Sequence, residues 1–156
     1  MIRAMIGTLA VLAGFAVVER SVDARTGPAG SCTPVDVHSL LPPGDMLALR
    51  SGPTLLSPAI GALRGDAALI LSGGQSGWAH VAVADAPQLD GWVPADQLWV
   101  DVVPGRALYS LPGPMGSQLA MSEGDAESFR VLGCHGTWLR VINARTGGVW
   151  IDKTRS

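Results

Sequence analysis

Like charges do not cluster anywhere in this sequence. Lys and Arg total 11 and Asp and Glu 13 in 156 residues, so the formal net charge is −2. Phosphate neutralisation needs clustered positive charge, so nucleic acid is not an expected partner. A polybasic or acidic membrane-surface tail is missing in the same way. Aromatics other than Trp are scarce, with one Tyr and two Phe against five Trp. Beyond the N-terminal segment only Tyr109 and Phe129 remain beside the Trp residues, too few for the aromatic groove that recognises Pro-rich peptides. The three histidines, His38, His80 and His135, are not at ligand spacing, and the carboxylates are dispersed. Neither a metal site, a cofactor nor a paired-carboxylate glycosidase site is expected. Cysteine is limited to Cys32 and Cys134.

What is present begins with an N-terminal export pattern. Arg3 supplies a positive charge, Ala4–Val18 runs fifteen residues without one, and Val22-Asp23-Ala24 has the small-residue spacing of a cleavage site. This is the tripartite form of a secretory signal peptide over residues 1–24. Fifteen residues fall short of the about 20 needed to span a bilayer. An uncleaved N-terminal anchor is the alternative. No transmembrane span is expected in the mature chain, and its expected location is periplasmic or secreted. In an oxidising compartment Cys32 and Cys134 are the candidates for a disulfide, with two unpaired thiols as the alternative.

Residues 25–45, with Pro28, Pro34, Pro42 and Pro43, read as an extended arm rich in Pro and Gly. The rest contains a repeat. Leu47-Ala48-Leu49-Arg50-Ser51-Gly52-Pro53 matches Arg106-Ala107-Leu108-Tyr109-Ser110-Leu111-Pro112 at four of seven positions, at an offset of 59. Further along, Gly73, Trp78 and Val81 pair with Gly133, Trp138 and Val141, and Gly91-Trp92-Val93 with Val149-Trp150-Ile151. Within each copy apolar residues alternate with polar ones, as in Ala79, Val81 and Val83 against Trp78 and His80. Turn sequences such as Ser72–Gly77 and Thr146-Gly147-Gly148 separate the strands. The expected fold class is all-β, with two small barrels in tandem.

The first copy, residues 46–100, resembles the bacterial SH3 (SH3b) family. Leu47–Pro53 matches that family's opening segment, Gly77-Trp78-Ala79-His80-Val81 its central strand, and Gly91-Trp92-Val93 its closing motif. The second copy, residues 106–153, is a degenerate version in which Tyr109 stands for the Arg and Leu111 for the Gly. The resemblance implies two SH3-like β-barrels and a non-catalytic binding role in an exported bacterial protein. The partner it implies is peptidoglycan or a cell-wall peptide; the degenerate second copy and the arm carrying Cys32 point instead to a structural or regulatory partner of another cell-envelope protein.

Candidate ligand-binding residues follow from strand alternation. Leu47, Leu49 and Leu108 face the core, whereas Arg50 and Tyr109 face outward. Trp78 and Trp138 share a strand face with His80 and Arg140, and are expected to be partly buried. They serve either as binding anchors or as a seal between the two copies. Trp92 and Trp150 are expected to fill the barrel cores. Cys134 and His135 are expected in a turn between Gly133 and Gly136, and adjacent residues of this kind do not form a catalytic pair. The first copy, which keeps nearly the whole family pattern, is the expected bearer of any binding role.

Overall fold

Apolar residues at every second position produce short strands with one face in the core. In Met46–Arg50, Leu47 and Leu49 are 2% and 3% exposed while their neighbours point outward. The computed structural model describes residues 30–42, 44–125 and 127–154; the expected signal peptide lies outside them, as does the start of the arm. The strands are β1 (Gly30–Ser39), β2 (Met46–Arg50), β3 (Ala59–Arg64), β4 (Ala68–Gln75), β5 (Trp78–Val83), β6 (Ala86–Pro94), β7 (Leu98–Val102), β8 (Ala107–Tyr109), β9 (Gln118–Met121), β10 (Glu127–His135), β11 (Trp138–Asn143) and β12 (Gly147–Asp152). Among the described residues the only helical element is a 3₁₀ turn at Ala95–Gln97, and no helix is long and apolar enough to cross a membrane. The protein is all-β.

All twelve strands belong to one sheet, in the order β3-β2-β6-β5-β4-β1-β7-β10-β11-β12-β8-β9, and every strand pair is antiparallel. The two ends have the same internal order. β3-β2-β6-β5-β4 on one side corresponds to β9-β8-β12-β11-β10 on the other, with β1 and β7 between them. The register repeats too. β4 and β5 pair Leu71 with Val81, break at Ser72, and resume with Gly73 opposite His80. β10 and β11 pair Val131 with Val141, break at Leu132, and resume with Gly133 opposite Arg140. Each break is a bulge that bends and twists its hairpin. The first hairpin closes through Ser76 and Gly77 at φ 50° and 81°, the left-handed pair that a tight two-residue turn demands.

Residues of both halves share one hydrophobic core, with Leu71, Val81 and Val93 from the first half and Phe129, Val131 and Val141 from the second all fully buried.

Residues 30–39 of the expected extended arm form a ten-residue strand between β4 and β7, and two local expectations are corrected. Its Pro34 falls where the pairing to β4 breaks, between Ser31 and Val35, so its missing N–H interrupts no ladder. Trp92 and Trp150 do not fill the core; Val93 and Ile151 do, at 0% and 4% exposure, and both Trp residues lie half-buried on the opposite face. Cys134 and His135 sit in β10 rather than in a turn, and alternation buries the first and exposes the second.

Candidate functional site

Strand register assembles the same outward-facing row in each half. In the first, Arg50 lies opposite Trp92, Trp92 opposite His80, and His80 opposite Gly73. In the second, Tyr109 lies opposite Trp150, Trp150 opposite Arg140, and Arg140 opposite Gly133. The contacts are aromatic in both halves. His80 meets Trp92 edge-on at 5.1 Å, Tyr109 meets Trp138 edge-on at 5.3 Å, and the Arg140 guanidinium lies 6.0 Å from the Trp150 ring centre.

The two rows differ in how their polar side chains are satisfied. His80 engages both ring nitrogens, Nδ1 with Ser72 Oγ at 3.1 Å and Nε2 with Asp90 Oδ2 at 3.2 Å. Arg50 donates from Nη1 to the Ser57 carbonyl at 2.8 Å. In the second half the bulge residue is Leu132 instead of Ser72. The residue opposite Ile142 is Gly148, where the first half has Asp90 opposite Ala82. Among the described residues Arg140 therefore has neither a hydrogen-bond acceptor nor an acidic partner, only the Trp150 ring.

Arg140 borders a cleft of about 370 Å³ between the halves. The β4–β5 turn ending in Trp78 forms one side. Pro112, Leu132, Arg140 and Trp150 belong to the other, and Cys134 also lines it. A second hollow, again about 370 Å³, shares Gly77, Trp78 and Leu132 with the first and adds Leu55, Pro94 and Asp96. The first half has a shallower counterpart of about 290 Å³ at Gly73, His80 and Trp92, bordered by Gly30 and Ser31 of β1. A hollow of about 420 Å³ beside Leu41 and Asp45 is bordered by Arg64 and Asp66. These two bond to each other at 3.1 Å, and the guanidinium holds the Asp66 carboxyl below its ordinary value.

The Cys134 sulfur is bonded to Cys32 and is not available as a nucleophile; the exposed His135 also lines the cleft. The described residues hold no group of three or more His, Cys, Asp or Glu with metal-ligand geometry. Of the residues expected from sequence to bind, Trp78 lies in the cleft, His80 and Arg50 belong to the first row, and Tyr109 belongs to the second and packs on Trp138. Arg140, Trp150 and Pro112 were not singled out. Trp150 carried a signal, since it lies between two apolar strand positions that face the core.

No family model matches the chain, and no curated protein does. A solved structure, that of NlpC1 from Trichomonas vaginalis, matches at a TM-score of 0.37 and 16% identity over 84% of this chain and 48% of that one. The chain thus spans about half the length of that protein.

Proposed function

We propose that this chain is an exported, non-catalytic binding module of two SH3-like halves, and that it contacts peptidoglycan or cell-wall peptides through the cleft between them. The opening and closing motifs of the first copy and the matching strand orders support the SH3-like reading. The disulfide suits a protein that works outside the reducing cytosol. The observation that carries the binding role is Arg140, stacked on Trp150 and lacking an acidic partner, in a cleft whose other side is Trp78. Trp and Arg in a partly desolvated depression are the usual anchors of recognition. This reading moves the binding role from the first copy, which the sequence favours, to the boundary with the second.

The test is retention of the purified protein on insoluble peptidoglycan. Wild type is expected to sediment with it, and Trp78→Ala to lose about tenfold or more in affinity, as hot-spot truncations do. Sedimentation no greater than that of a control protein sinks the proposal.

A second reading, as a structural or regulatory partner of another envelope protein, is favoured by one observation. The β2–β3 and β8–β9 connections expose Leu55, Leu56 and Met115 at 72%, 96% and 83%. Cross-linking in the native envelope is then expected to capture a second protein through those loops, and recovery of the uncross-linked monomer alone would count against it.

A further inference from the structure

We infer that the two hollows around Trp78 form one groove for a short zwitterionic peptide, with the peptide's carboxylate at Arg140 and its ammonium group at Asp96. The inference rests on the binding role proposed above and specifies the chemistry of the ligand. Gly77, Trp78 and Leu132 line both hollows, so the two spaces adjoin at the indole. Leu55, Pro94 and Pro112 add apolar surface along the way. At one end stands Arg140, an exposed guanidinium held against Trp150; at the other stands Asp96, an exposed carboxylate in the 3₁₀ turn. Neither has an ion-pair partner among the described residues. Arg140 at one end, with the His135 imidazole lining the same hollow, and Asp96 at the other select a ligand with the reverse order of charge. They disfavour a polyanion, which would meet Asp96. A planar guanidinium fits a terminal carboxylate through two parallel hydrogen bonds.

The comparison between halves strengthens the assignment. In the first half the equivalent side chain is already occupied, His80 by Ser72 and Asp90. In the second half both partners are replaced, by Leu132 and Gly148. These two differences free the cation at the row that faces the cleft, so the described residues hold a single such site.

The test is calorimetric titration of the full chain with lysyl-alanyl-alanine, its C-terminal amide, and the form acetylated on both amines. The free acid is expected to bind with a stoichiometry of one. Amidation and acetylation are each expected to weaken it about tenfold or more. Arg140→Ala should remove the preference for the free acid and Asp96→Asn the preference for the free amines. Gly148→Asp restores the acidic partner that the first half possesses. A Cβ at Gly148 would meet nothing closer than Leu132 Cδ1 at 3.8 Å, so the fold tolerates the change. It is expected to weaken the free acid about tenfold while leaving the amide unchanged. Equal binding of acid and amide by the wild type overturns the inference, as does a preference that survives Arg140→Ala. The wall-binding reading fails separately. Retention on peptidoglycan with no acid–amide difference leaves that reading intact and removes this one. Peptide discrimination without retention does the reverse.

Discussion

A Cβ built on Gly91 would lie 2.7 Å from the Arg50 carbonyl oxygen and 2.9 Å from Leu49 Cγ. The glycine of Gly91-Trp92-Val93 is therefore a matter of space: β2 passes too close to β6 for any side chain. Backbone oxygen cannot retreat as the end of a long side chain can, so Gly91→Ala is expected to cost about 1–3 kcal/mol through overpacking. Urea unfolding should show this as a lower midpoint with an unchanged slope; an unchanged midpoint would mean that β2 can shift. The equivalent residue in the second half is Val149, which is buried at 1% exposure, so the restriction belongs to this particular strand approach. At this scale the sequence was legible wherever alternation alone decided, as for Leu47, Leu49 and Leu108, all buried. It misleads for Trp92 and Trp150, whose size suits a core while their strand position faces the other way. Between Gly91 and Val93, both buried, Trp92 can only face away from the core. The exchange of Ser72 and Asp90 for Leu132 and Gly148 lies open in the sequence. It acquires meaning only when the register places all four beside His80 and Arg140.

The ten residues of β1 form the element hardest to read in advance, because Gly30 and Pro34 look like loop punctuation. Long-range pairing overrode that local signal. His38 lies opposite both Ala68 of β4 and Trp99 of β7, and Val37 is 4% exposed. At the other end of the strand, Cys32 is bonded to Cys134 across 102 residues of sequence. Beside that bond the Thr33 N–H donates to the Gly136 carbonyl at 2.8 Å, and Lys153 Nζ donates to the Thr33 carbonyl. Three segments distant in sequence thus meet around the start of β1. Closing a loop of this length restricts the unfolded chain by about 4–5 kcal/mol. The paired substitution Cys32→Ser with Cys134→Ser is expected to lose much of that, giving a clearly lower Tm that added reductant no longer changes. The wild type should fall toward the same Tm on reduction. A double variant as stable as the oxidised wild type would show that the bridge adds nothing to the hydrogen bonds around it.

Two tandem barrels, as the repeat suggests, would each unfold on its own, but β1 and β7 argue against independence. β1 is hydrogen-bonded to β4 of the first half, and β7 is paired with β10 of the second from Glu127–Val102 to Arg130–Trp99. β1 and β7 also pair with each other, so the ladder runs unbroken through the middle of the sheet. The repeat revealed two similar halves because similarity is written in short motifs. It could not reveal their junction, because β1 and β7 have no counterparts in the repeat. Phe129 is the residue on which this can be tested. It is fully buried in β10 opposite Val100 of β7, and truncating a buried Phe to Ala costs about 3–5 kcal/mol. If the sheet unfolds as one unit, Phe129→Ala should lower the hydrogen-exchange protection of the Val81 amide, in the first half, by the same free energy as that of Val141 in the second. Val81 keeping its wild-type protection while Val141 loses its own would establish two units that fold separately. Equal losses would mean that the cleft between the halves is held by the full stability of the sheet, which gives its facing Trp78 and Trp150 a fixed separation before any ligand arrives.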